Sequence, residues 1–589
     1  MIKIKPKKLT IKEAEKLLKQ KTMLFATWDC ENKKHYLYQS LYPPFKDIFK
    51  EVVMYDTKIK NFEYGSHLMR KNLISLIREK KPNFILFGVW GCGEFESIDL
   101  IEEINKASPK TIIVGLFTDD DRDFEISSRY YAMLLDYNIV NQVHYVEQYK
   151  KEGYRAFPSF GIYLKNFKPL GLKKKYNISF IGAPIAPRIK LMRYLINKGI
   201  KVNIWGNSWF NYPEFKDFYR GMPDDKEFVK IINESKINLS PSKNMYGEPH
   251  FKGRVLEFGA CRSFALVDYF SGYLKYFKEN KEIVFVKDDE DLLKKINYYL
   301  RNEKEREEIA RNTYKKVVKN HDISAIYKKM FTEIIEEQAN LSRKQIPKTN
   351  DKVLKITKKD MKRGFNYVKE KLKSIQYVGF IGEDNLPYNY KDYFQAHCLE
   401  KTKKDISCCD YYLCFNKKEN YLRFRPARAM NAIKKEYFNR LIILSQLMTT
   451  KDYFLNNFEK FKKAFDGETI DFISENNTAF IDIPLLKITS SNKNIRKTIR
   501  DLGIESLDKA FQLNFIVRLY PLVYQKRVFS DSYLYKLVIK TLLEGNGTIL
   551  KYLYNAYFNE GNWTRLKNIS DTVSQKSVDE QISNAFDNP

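Results

Sequence analysis

The sequence predicts an α/β protein in which two Rossmann-like units follow one another and a further carboxy-terminal domain, α+β or mostly helical, is appended. Three observations predict it. Short apolar runs alternate with amphipathic helical stretches over residues 1–340, as parallel strands joined by crossover helices do. A basic stretch at 165–175, containing Pro169 and Gly171, breaks that alternation into two halves and reads as a connection. Beyond residue 365 strand-like and helical runs mix without any solenoid repeat. The expected domains are therefore 1–168, 169–340, a basic linker at 341–365, and an accessory domain at 366–589 whose fold the pattern does not name.

In the first unit, strands are expected at 22–28, 52–55, 83–90, 111–117, 137–141 and 155–157. The third leads into Trp90, Gly91, Cys92 and Gly93, and the fourth into Thr118, Asp119, Asp120 and Asp121. Ligands of open α/β sheets sit at the carboxyl ends of strands, so both loops are candidate site loops. In the second unit the expected order is strand 176–182, helix 188–197, strand 201–206, helix 225–234, strand 236–239 and helix 251–261. Strands at 264–268 and 282–286 and helices at 290–302, 303–320 and 323–338 complete it, with Asp322 as the cap of the last helix. Further on, strands are expected at 375–380, 411–415, 421–424 and 479–483, and helices at 437–450, 452–465, 506–518, 532–543 and 549–559. A polar tail follows from about residue 567.

Composition limits the function. The 589 residues are 43% hydrophobic and 15% aromatic, which suits several packed cores rather than disorder. Lys and Arg number 103 against 73 Asp and Glu, a net charge of +30 that favours anionic partners such as nucleotide sugars, phospholipid headgroups or acidic glycans. The basic linker would suit peripheral contact with an anionic membrane, and the carboxy-terminal region is a candidate homo-oligomer contact. No nucleic-acid module is recognisable, so no nucleic-acid partner is expected. The seven cysteines form no regular framework, and neither a signal peptide nor a membrane span is legible, so a cytoplasmic protein is expected. His397, Cys398, Cys408, Cys409 and Cys414 fit no familiar zinc spacing and read as buried thiols; no metal site is expected.

The most informative stretch begins where a strand ends in Asn238, Leu239 and Ser240 and a helix is expected to open near Phe251. Free N–H groups and the positive helix end favour a diphosphate there, and Lys252 and Arg254, flanking Gly253, add full positive charge. Glu257 lies three residues after Arg254, so one side chain can meet phosphate while the other accepts hydrogen bonds from ribose hydroxyls. Gly182 and Gly206 end the first two strands of the same unit and complete the expected donor-binding set with Ser240. A base for acceptor activation is expected from Asp119 or Asp120, or from His250.

Residues 80–335 resemble the CgeB-like glycosyltransferases, a branch of the group with the GT-B double-Rossmann fold. The resemblance rests on Thr118, Asp119 and Asp120, on the strand from Tyr176 to Gly182, on the run Phe251-Lys252-Gly253-Arg254-Val255-Leu256-Glu257, and on Lys281, Glu282, Ile283 and Val284. It implies that Glu257 meets the donor ribose and that Lys252 and Arg254 meet the diphosphate, without a metal or other cofactor. It implies an acceptor-side role for the Trp90, Gly91 and Gly93 loop, and an acceptor that is a glycan, a lipid-linked glycan or a protein. The chain departs from the family in having Glu248 nine residues before Glu257 rather than eight, and Arg262 where a glycine is usual. The alternative reading is a non-catalytic nucleotide-sugar or carbohydrate-binding scaffold.

Overall fold

A computed structural model of the chain describes residues 9–27, 30, 42–89, 98–206, 209, 212–243, 247, 250–337, 350–381, 385–415, 420–424 and 442–489. Strands β1 (Thr22–Thr27), β2 (Glu51–Asp56), β3 (Phe84–Val89), β4 (Ile112–Phe117), β5 (Tyr137–Val140) and β6 (Ala156–Pro158) form one sheet in the order β2-β1-β3-β4-β5-β6. The pairs β3–β4 and β5–β6 run parallel. The near-continuous apolar sequence of β4, buried at every residue, is that of a strand covered on both faces.

A second sheet holds β7 (Tyr176–Ile181), β8 (Asn203–Trp205), β9 (Ser235–Ser240), β10 (Ala265–Asp268) and β11 (Val284–Val286) in the order β11-β10-β9-β7-β8. All four pairings are parallel. One core packs helix Ala186–Asn197 against this sheet through Ile189, Met192 and Leu195, which meet Ile178, Phe180 and Ile204. Another gathers Phe160, Phe251, Leu256, Phe258 and Tyr273 with Phe167 and Val317. Two α/β sheets in succession, the second parallel throughout and the first parallel at β3–β4 and β5–β6, agree with the α/β class the sequence predicts.

A third, mixed sheet follows: β12 (Val353–Ile356), β13 (Tyr377–Phe380), β14 (Asn385–Pro387), β15 (Ile406–Phe415), β16 (Asn420–Phe424), β17 (Leu447–Thr450) and β18 (Thr478–Thr489). Its order is β12-β13-β17-β15-β18-β14, with β16 paired to β15. The third region is thus α+β among its described residues. Two expectations need correction. The basic segment expected as a linker contains β12 and helix Lys358–Lys362, because Val353, Leu354 and Ile356 supply a strand that pairs parallel with β13. The helix expected at 437–450 is instead, in its described part, a 3-10 turn at Leu444–Gln446 and strand β17, whose Thr449 and Thr450 favour extended backbone. The helices expected at 506–518, 532–543 and 549–559 lie outside the described residues.

The chain divides into two compact units: Met1–Met23, Cys30–Val53 and Asn138–Ser342 in one, and Leu24–Asp29, Met54–Tyr137 and Arg343–Pro589 in the other. No helix among the described residues is long and apolar enough to cross a membrane.

Candidate functional site

The second sheet places the site. Strands β7 and β9 are neighbours, but β8 follows β7 to one side while β10 and β11 lie on the other. The direction of winding reverses there, which opens a crevice at the carboxyl ends of the strands. Gly182 follows β7, and its N–H donates to the Trp205 carbonyl at 2.9 Å. Gly206 follows β8 with φ of 137°, and a Cβ there would stand 2.2 Å from the Gly182 carbonyl oxygen. Only glycine fits. Trp209 Nε1 donates to that same carbonyl at 2.6 Å, and the Tyr219 hydroxyl donates to the Gly206 carbonyl at 3.1 Å.

Above this floor lies a cavity of about 650 Å³. Gly182, Gly206, Arg254 and Glu257 line it, as do Phe228 and Val229 of helix Asp225–Glu234. Four cations, Lys165, Lys168, Lys226 and Arg254, stand on its wall against one carboxylate, Glu257. Such a wall suits an anion.

Arg254 opens helix Arg254–Ala260, with Gly253 at the cap position. Its Nε lies 2.9 Å from the Glu257 carboxylate, its Nη1 donates to the Ile181 carbonyl at 3.3 Å, and its guanidinium sits 4.8 Å over the Phe228 ring. Glu257 is buried, which pushes its carboxyl above the usual range, and Arg254 partly opposes that shift. The helix begins at Arg254 rather than Phe251. The Lys252 N–H is taken by the Tyr273 hydroxyl at 2.7 Å, and that hydroxyl donates back to the Lys252 carbonyl at 2.9 Å. The expected helix-end N–H of Lys252 is thus engaged within the protein. Lys252, Gly253 and Ser240 do not line the cavity; Ser240, buried at the end of β9, accepts from Ser242 at 3.2 Å.

Arg188, which the sequence does not single out, stands beside Gly182 without lining the cavity. It lies in the first turn of helix Ala186–Asn197, directly after β7, and a Cβ on Gly182 would meet its Nη1 at 3.3 Å. Its Nη1 donates to the Ala183 carbonyl at 3.1 Å, while its Nε is buried without a hydrogen-bond partner among the described residues. Burial first, and then the like charge of Arg254, push its guanidinium down to about 10, with Asp268 opposing. A cation in the first turn works against the helix dipole, and that local conflict was the available signal.

The remaining candidates are placed as follows. His250 is buried in the same unit as the cavity, its Nε2 2.7 Å from the Gln142 amide nitrogen, which also donates to the Phe251 carbonyl at 3.1 Å. Asp119 and Asp120 belong to the other unit. Asp119 precedes helix Asp120–Asp123 and lies 3.6 Å from Arg122, and Asp120 is only 1% exposed. Trp90, Gly91 and Gly93 lie outside the described residues. Cys398, Cys408 and Cys409 are buried free thiols, as the spacing predicts.

Residues 188–332 match the family model described as glycosyl transferase-like. Among solved structures, the Anabaena protein HepE in complex with UDP and glucose is similar with a TM-score of 0.40 and 11% identity, over 54% of this chain and all of that one. Sucrose-phosphate synthase from Thermosynechococcus elongatus has a TM-score of 0.41 and 11% identity, over 55% of this chain and all of its own. A glycosyltransferase from Rickettsia africae has a TM-score of 0.39 and 13% identity, over 55% of this chain and all of its own. All three are distant likenesses. No curated protein matches the chain. The chain thus carries a glycosyl transferase-like region at 188–332, which contains strands β8 to β11 of the second parallel sheet.

Proposed function

We propose that the cavity at β7 and β8 is the donor site of a metal-independent enzyme of the CgeB-like branch, which moves a sugar from a nucleotide sugar to a glycan, a lipid-linked glycan or a protein. The observation that carries this reading is the convergence of Gly182, Gly206, Arg254 and Glu257 on one cavity with an excess of cations. Its volume is within the range of ligand sites, ~300–1,000 Å³.

In this reading the bond from the anomeric carbon to the diphosphate breaks, that carbon becomes bonded to the acceptor oxygen, and negative charge develops on the departing diphosphate oxygen. Arg254, with Arg188 behind Gly182, stabilises that charge in place of a metal. The Glu257 carboxylate accepts hydrogen bonds from ribose hydroxyls, and the close Gly182–Gly206 floor lets the backbone approach the nucleotide. The acceptor hydroxyl loses its proton to a base drawn from Asp119, Asp120 or His250. The test is nucleotide release from a panel of UDP, GDP, dTDP, ADP and CMP sugars, with Asp119→Asn, Asp120→Asn and His250→Gln alongside wild type. Release from one donor, lost in one of the three variants, supports the reading; no release from any donor contradicts it.

A further inference from the structure

Residues 165–170, which the sequence suggests are mere connection, form one wall of the cavity through Lys165, Asn166, Phe167, Lys168 and Leu170. They precede the stretch that matches the glycosyl transferase-like model. Asn233 holds them in place. This side chain, 5% exposed on helix Asp225–Glu234, accepts from the Leu170 N–H at 2.8 Å and donates to the Lys168 carbonyl at 3.2 Å and the Val229 carbonyl at 2.9 Å. Phe167 is also fixed, packing edge-on against Phe228 with ring centroids 6.1 Å apart. The strap is thus pinned on both sides of Lys168.

The lysines on this wall are not equivalent. Lys165 is engaged by Asp47 at 2.7 Å. Lys168 and Lys226 line the cavity exposed, and neither makes an ion pair among the described residues. Arg254 is itself already paired with Glu257. A dianionic ligand would therefore find its unengaged positive charge on the strap and on the first turn of the helix Asp225–Glu234.

We propose that the strap is a working part of the anion site, with Lys168 contacting the phosphates of a nucleoside diphosphate and Asn233 acting as the positioning residue that holds Lys168 over the cavity. This rests on the donor-site reading above. Asn233 makes no contact with the ligand and acts by fixing the backbone at the Lys168 carbonyl and the Leu170 N–H.

The experiment is calorimetric titration of UDP, GDP, dTDP, ADP and CDP into the full chain, as wild type, Lys168→Ala, Asn233→Ala, the double variant, and Lys226→Ala with and without Asn233→Ala, with Tm measured on each. Lys168→Ala is expected to weaken binding by about tenfold, the scale of one charge-assisted contact, and to flatten its salt dependence. Asn233→Ala is expected to weaken binding by a similar factor, and adding it to Lys168→Ala is expected to weaken binding little further, while it adds fully to Lys226→Ala. A merely structural Asn233 would lower Tm and leave the salt dependence unchanged. Unchanged affinity in Lys168→Ala overturns the inference while wild-type binding upholds the donor site; full additivity of Lys168→Ala and Asn233→Ala also overturns it. No binding of any nucleotide by wild type overturns both. Should Asn233→Ala fail to fold, Lys168→Ala and its salt dependence decide alone.

Discussion

Arg254 and Glu257 form an ion pair of 2.9 Å within one helical turn, with the carboxylate buried and the guanidinium half-exposed over Phe228. The pair is not optimised for stability, because burial raises the Glu257 carboxyl and Arg254 offsets only part of that cost.

The pH dependence follows. A carboxyl raised in the folded state binds more protons there than in the unfolded chain, between the ordinary value of 4.5 and its raised value. Stability from Glu257 is thus fully present below 4.5 and is lost as pH rises through the raised value. Glu257→Gln should remove that fall and gain roughly 1 kcal/mol at neutral pH, while weakening nucleotide binding. Urea titrations across the pH range, with and without nucleotide, check both signs.

Arg254→Ala should act in the opposite sense on stability. It leaves Glu257 without its cation, raises that carboxyl further and costs roughly 1–3 kcal/mol, less than a fully buried pair because the guanidinium is partly exposed. Thermal and urea melts at neutral pH measure it.

Arg188 carries an unrelieved cost in the ligand-free protein, being pushed down to about 10 by burial and by Arg254. Arg188→Gln is therefore expected to leave Tm unchanged or raise it, yet to weaken nucleotide binding by about tenfold. A fall in Tm with undiminished binding would assign Arg188 to structure alone.

Gly206→Ala is expected to damage the floor of the cavity, since its Cβ would collide with the Gly182 carbonyl oxygen at 2.2 Å and φ is positive. The cost should be roughly 2–5 kcal/mol, with loss of binding, read by chemical denaturation and titration together.

His321 predicts the acid limit. Its Nδ1–H donates to the Phe160 carbonyl at 2.9 Å, its ring stacks on Phe277 at 5.7 Å, and its Nε2 is buried without a partner among the described residues. Burial lowers its pKa below 6.5, with the Phe160 bond opposing. The unfolded chain therefore takes up the proton first, and stability should fall as pH drops below 6.5. His321→Gln should flatten that slope in melts between pH 5 and 7.

Strands β3 and β4 were legible as apolar runs and β7 as an alternation of polar and apolar residues, and all three lie within one or two residues of expectation. Gly182, Gly206, Arg254 and Glu257 were legible as motif positions, and the structure gathers them at one cavity. Lys252 was not resolvable in one dimension, because its N–H depends on Tyr273, twenty-one residues away. Arg188 and the strap at 165–170 were missed for a related reason. One looks like an ordinary helix residue and the other like a linker, and only Asn233, some sixty residues on, turns the linker into a wall. The 437–450 helix failed where tertiary pairing with β13 and β15 outweighed local preference.

The most direct measurement is nucleotide release from the sugar-nucleotide panel by wild type and Arg254→Ala at equal concentration. Release from one donor by wild type, reduced by at least about tenfold in a folded Arg254→Ala variant, is the predicted result. Equal release by both proteins would contradict the assignment of this cavity as the donor site.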